Sequence, residues 1–357
     1  MKLIDTDVHV VWEESGAIAS YLDETWRERW LRGHGHTQAG LDIYPKIYDP
    51  DTWPLSNRKR QKVSSAGELA AGWLDPHGVE GALLSVYDAP RLSTFGDTHY
   101  PTAVATAVNR WLADTFLSDD PRCYGSIVVA TQDAEAAARE IHRAAAHPRM
   151  VQVVLPTGTR MPYGHHHYRP IFRAAAENGL AVAVAAGTEG IGTSYPPTPN
   201  GWPGTAAEMR VTPSTTFLCH LTSLITEGVF TEFPELKIIG QETGVAWLPP
   251  FLWRFDKNYK AMRSECPWVR DLPSIITCRH FRFSSQSAEV SEPAEEFWRL
   301  MDSLPDPNIL MYSSNYPRWD TQPPENSFAL STCPPERLEA LAHIEAEKTF
   351  PRLSVAW

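Results

Sequence analysis

The most chemically loaded stretch of the chain is its start. Ile4-Asp5-Thr6-Asp7-Val8-His9 sets two carboxylates and an imidazole at alternating positions behind an apolar lead. In a β-strand the side chains at i, i+2 and i+4 share one face, so Asp5, Asp7 and His9 are expected to point the same way. Asp7 and His9 close the strand as a pair able to hold one metal ion or one substrate group between them. An edge strand with a solvated polar face is the bland alternative, and it gives no reason for a histidine just where the apolar run stops. A third carboxylate, Glu242, ends another apolar run, Leu236 to Gln241.

Elements must position these groups, and the chain supplies them in alternation. Apolar runs at 81–87, 123–130, 150–156, 180–187, 236–242, 281–284 and 308–313 read as strands. Amphipathic stretches at 101–117, 133–146, 169–178, 217–233, 246–259, 292–303 and 335–350 read as helices. Continuous apolar strands alternating with helices mean parallel strands buried on both faces. About eight such units predict a (β/α)8 TIM barrel, one domain over 1–357. Long loops are expected at the C-terminal ends of its strands. Segment 13–67, rich in Trp, Tyr, Arg, Pro and His, contains a short helix near 17–31 and reads as an inserted lid over the barrel mouth. Tyr44, Tyr48, Trp53 and Pro54 would anchor it.

Composition excludes several partners. A formal net charge of -11, with no basic cluster beyond Arg58-Lys59-Arg60-Gln61-Lys62, argues against nucleic acid and anionic membranes. No apolar run is long enough to span a bilayer, and residues 1–20 show no basic segment followed by an apolar one. Five scattered cysteines without a CxxC read as reduced thiols, so a cytoplasmic protein is expected.

The chain resembles the amidohydrolase-related family, which includes aminocarboxymuconate-semialdehyde decarboxylase and resorcylate-type decarboxylases. The markers run nearly the whole length: Ile4-Asp5-Thr6-Asp7-Val8-His9; Tyr168-Arg169-Pro170-Ile171-Phe172; Leu221-Thr222-Ser223-Leu224-Ile225 with Phe233-Pro234-Glu235-Leu236; Trp247-Leu248-Pro249-Pro250 with Trp253-Arg254; and Tyr312-Ser313-Ser314-Asn315-Tyr316-Pro317. The resemblance implies a metal-binding pair at the end of the first strand, which Asp7 and His9 match in an acidic variant. It also implies a histidine ending the fifth strand, where this chain has Ala185. An aspartate near the end of the eighth strand is replaced by Asn315, and a histidine three residues on by Arg318.

These departures set the expectation for the chemistry. Asp7, His9 and Glu242 remain as ligands for none or one weakly bound zinc or manganese ion, with His220 a fourth on a helix. Arg318 opposes a divalent cation and is suited to a bidentate grip on a carboxylate. His9 beside Asp7 is a general acid/base, favoured in its charged form by its neighbour. Glu242 is a second proton-transfer group, and Asn315 a donor to a developing oxyanion. Trp202, in the loop after strand five, is a stacking surface for substrate. His165-His166-His167 reads as a polar loop before a helix. The expected function is hydrolysis, decarboxylation or metal-independent acid/base chemistry on a small anionic or ring-containing metabolite, in a homodimer. The rival is an inactive subunit that pairs with an active paralogue.

Overall fold

The structure is a computed structural model describing residues 1–33, 62–87, 89–318 and 320–355. Eight strands form one sheet in sequence order: β1 (Ile4–Val10), β2 (Gly81–Val86), β3 (Cys123–Val128), β4 (Met150–Pro156), β5 (Ala181–Ala185), β6 (Ile238–Gln241), β7 (Phe281–Ser284) and β8 (Leu310–Met311). Every neighbouring pair is parallel. The seam between β8 and β1 is closed by the chain that follows β8. Thr6 and His9 donate their backbone N–H groups to the carbonyls of Tyr312 and Tyr316, and Asn315 donates to Asp7. This is the (β/α)8 barrel, with all its strand residues buried except Ala185 at the end of β5. Burial on both faces explains why the strands read as unbroken apolar runs.

The barrel interior is a distinct cluster. Ile4, Leu83, Tyr124, Val151, Ala181, Ala183, Ile239 and Met311, one or two from nearly every strand, pack together. Ala346, Phe350 and Leu353 from the C-terminal segment join them and plug the bottom. The outer faces, with Val8 and Val10 among them, pack on the helices.

Strand β1 departs from simple alternation. Its register against β2 shifts between Asp5 and Val8, a bulge that puts one extra residue in β1. Ile4 faces inward, but Asp5 turns to the helical layer, where Trp73 Nε1 donates to it at 2.8 Å and Ser314 N at 3.0 Å. Asp5 therefore does not share the inward face of Asp7 and His9, contrary to the period-two expectation.

The helices follow the expected stretches with three physical amendments. The helix over 17–31 is two, Ser15–Ala19 and Glu24–Arg32, the second capped by Asp23. The stretch 217–233 breaks at Gly228, whose φ of 72° ends Pro213–Thr226 before Val229–Glu232 begins. The stretch after Pro267 contains a helix, Pro273–His280, with proline in its first turn. Tyr44, Tyr48, Trp53 and Pro54, the expected lid anchors, lie outside the described residues. No helix among the described residues is long and apolar enough to cross a membrane.

Candidate active site

Five of the singled-out residues converge at the C-terminal ends of β1, β6 and β8, the end of the barrel where (β/α)8 enzymes carry their chemistry. The bulge in β1 turns Asp7 and His9 inward. Glu242 follows β6 with φ 56°, and Asn315 follows β8 with φ 62°; they are the only non-glycine residues with positive φ among those described. Asparagine tolerates that left-handed region, whereas glutamate rarely occupies it. Glu242 is held there by its own N–H, which donates to Ser284 Oγ at 2.9 Å at the end of β7. Backbone strain at the two residues that meet inside the site marks a geometry fixed by its surroundings.

The side chains form a closed network. His9 Nε2 lies 2.5 Å from Asn315 Oδ1. The Asn315 amide donates to Glu242 Oε2 and to Asp320 Oδ1, both at 3.2 Å. Arg318 Nη1 donates to Glu242 Oε1 at 3.0 Å, and its guanidinium lies 5.5 Å from the centre of the Tyr87 ring. His9 meets the same ring edge-on at 5.9 Å. Asp320 is paired in turn with Arg210 at 3.2 Å. Asp7 Oδ1, buried and 3.5 Å from His9 Nε2, has no hydrogen-bond partner.

Burial sets the protonation states. Asp7 is pushed well above the usual carboxylate range by desolvation and then by the Glu242 charge. Glu242 is also raised by burial, with Arg318 pulling the other way. Burial works against the charge of Arg318 too, but Glu242, Tyr87, Asp320 and Asp7 more than offset it and keep it cationic. His9 is lowered to about 3 by burial and then by Arg318. The expectation that a neighbouring carboxylate favours the imidazolium fails here, because burial and the Arg318 charge outweigh the groups that would raise it. A neutral His9 with its Nε2 proton on Asn315 Oδ1 satisfies both groups.

The ligand atoms of Asp7, His9 and Glu242 all lie within 4.8 Å of one another, so distance alone would admit an ion. The donor chemistry does not. Both Glu242 oxygens accept hydrogen bonds from Arg318 and Asn315, and the His9 nitrogen faces an amide oxygen. Turning the Asn315 amide over would set its oxygen against two carboxylates. Asp7 Oδ1 has no hydrogen-bond partner, but an ion could gather the three protein ligands it needs only by displacing the present Arg318 and Asn315 contacts.

His220 is not brought into the cluster. Its Nε2–H donates to the Thr157 carbonyl at 2.8 Å and its Nδ1 accepts from Tyr163 N at 3.2 Å, so both nitrogens join β4 to the helix Pro213–Thr226. Trp202 is half-exposed and packs on its own loop, where a Cβ at Gly190 would come within 2.3 Å of the indole. His167 spends its Nε2 on the Thr131 carbonyl. Sequence reasoning missed Tyr87, Ser284, Asp320 and Arg210. Tyr87, directly after a barrel strand, had a positional signal; Arg210 reaches in from the end of the short helix Ala206–Arg210 and had none. Glu189, beyond the β5 end, is a buried carboxylate that accepts from Thr157 Oγ1 and Gly187 N and ties the β4 and β5 loops together.

A family profile described as amidohydrolase matches residues 4–352. No curated protein matches significantly. Among solved structures, the chain is similar to 5-carboxyvanillate decarboxylase from Sphingomonas paucimobilis, with 22% identity, a TM-score of 0.66, and 98% of this chain and 99% of that one covered. It is similar to the Novosphingobium aromaticivorans 5-carboxyvanillate decarboxylase, solved as an aspartate-to-asparagine variant with manganese and a nitrobenzoic acid, at 22% identity and a TM-score of 0.71, covering 98% and 97%. A dihydroxybenzoic acid decarboxylase from Polaromonas sp. with manganese and 2-nitroresorcinol matches at 15% identity and a TM-score of 0.64, covering 100% and 98%.

Proposed function

The chain belongs to the amidohydrolase family, and from that premise we propose that it removes the carboxyl group of a small ring-containing carboxylate by proton transfer. The observation that carries this reading is Asp7, buried, with an unpartnered oxygen in the same site as the cationic Arg318 and its carboxyl pushed toward the protonated form by burial. The names of the similar structures, decarboxylases of aromatic acids, support the substrate class. Arg318 keeps 19% of its side chain exposed, so an arriving carboxylate can reach the guanidinium and be held in its plane. Tyr87 forms an aromatic wall beside it. Asp7 gives its proton to the ring carbon that bears the carboxylate. The carbon–carbon bond then breaks, its electron pair returns to the ring, and carbon dioxide leaves. Solvent returns a proton to Asp7. His9 and Asn315 hold the Asp7 side of the site in register, and Glu242 fixes Arg318.

The test is release of carbon dioxide from a panel of ring-hydroxylated benzoates, with His9→Ala as control. Turnover that falls sharply in His9→Ala supports the proposal, and turnover indifferent to that change sinks it. A second reading, a subunit without turnover that partners an active paralogue, is favoured by one observation: the chain itself already satisfies both Glu242 oxygens. It predicts no release from any acid in the panel and a second chain at constant stoichiometry on purification.

A further inference from the structure

We propose that the Arg318 guanidinium is the resident cation of this site, held against the carboxylate that an ion would need and keeping divalent ions out. Three independent contacts hold it there. Its backbone N–H closes a tight turn onto the Asn315 carbonyl at 2.9 Å. Its Nη1 donates to Glu242 at 3.0 Å. Its cationic face lies 5.5 Å from the centre of the Tyr87 ring, a cation–π distance. The turn places the guanidinium beside the same carboxylate that, with Asp7 and His9, would have to ligate an ion.

An incoming divalent ion must break the Arg318–Glu242 pair and rotate the Asn315 amide away from His9, against the carboxylates of Glu242 and Asp320. It would then sit next to a fixed like charge in a poorly solvated pocket, where that repulsion is weakly screened. A guanidinium supplies a permanent positive charge and several N–H donors, so an anionic substrate still meets an electrophilic partner. The two site departures, Asn315 and Arg318, are thereby one exchange: a carboxylate that would ligate becomes an amide that orients, and a protein cation replaces a metal.

The test reads binding and does not depend on the substrate. Manganese(II) is titrated into wild type, Arg318→Met and Asn315→Asp, with free manganese followed by electron paramagnetic resonance and folding by circular dichroism. Wild type and Asn315→Asp, which keep the guanidinium, are expected to bind no tighter than ~1 mM, and Arg318→Met at least ~10-fold tighter. One equivalent held by wild type at ~1 μM overturns the proposal. So does tight binding by Asn315→Asp alone, or an Arg318→Met protein that is folded and binds no better than wild type. Should Arg318→Met fail to fold, the wild-type and Asn315→Asp titrations still decide the matter.

Discussion

Asp7 and His9 stand two positions apart on one strand, yet burial moves their pKa values in opposite senses, the carboxyl's up and the imidazole's down. Both shifts disfavour buried charge, and Glu242 and Arg318 pair at the centre of the site. In the proposed reaction Asp7 delivers the proton. Replacing Asp7 with Asn is expected to lower kcat on a true substrate by about 10²–10⁴ while the fold is kept. Steady-state kinetics and a thermal melt check this. The sequence made Asp7, His9, Glu242, Asn315 and Arg318 legible because each lies at or just past the end of an apolar strand or in a family marker. It could not make Asp320 or Arg210 legible, since their roles rest on one amide being held from two sides across the barrel mouth. The protonation states were hidden for the same reason: a pair charge is set by its neighbours in space, not by its spacing in the chain.

At the scale of elements, the bulge in β1 is what makes the site, because it turns Asp7 and His9 inward and spends Asp5 on the outer layer. Asp5 accepts from Trp73, Ser314 and Asp7 N–H groups, tying β1 to the chain after β8. A carboxamide in this place offers one acceptor oxygen where the carboxylate offers two, so Asp5→Asn is expected to cost about 1–3 kcal/mol in urea unfolding. The helix–strand tie at His220 carries a pH signature. Burial lowers its pKa from 6.5 to about 4, with the Thr157 bond pulling the other way. On acidification the unfolded chain takes up the proton first, so this contribution is present above pH 6.5 and is lost toward pH 4. Unfolding titrations at several pH values are expected to show a steeper decline for wild type than for His220→Gln across that window. Parallel curves would mean that His220 is not held neutral. The strands were readable as runs of apolar residues, but a bulge has no composition of its own, and period two misassigned Asp5. The 308–313 run shrinks to Leu310–Met311 because its later residues leave β7 to pair with β1.

At the scale of the molecule, the two ends of the barrel divide the work. The upper end holds polar groups under strain; the lower end is sealed by the C-terminal segment, where Phe350 is fully buried among interior residues of the strands. Glu345 reaches β7 through Arg282 at 2.9 Å, and Arg352 donates to the carbonyls of Met150 and Ala145. Phe350→Ala is therefore expected to destabilise the chain by about 3–5 kcal/mol with the site geometry unchanged, read as a shift in denaturant midpoint. The barrel itself was legible from the strand–helix alternation. The plug was not: 335–350 reads as one helix, and 335–349 is a continuous helical run with a π turn at Ala340–Ile344, but its periodicity does not say that Ala346 and Phe350 enter the barrel interior. The measurement that bears most directly on the whole account is the rate of carbon dioxide release from a ring-hydroxylated benzoate in excess chelator. Undiminished turnover in wild type, lost in Asp7→Asn, is the predicted result. Turnover abolished by the chelator and restored by manganese would contradict it.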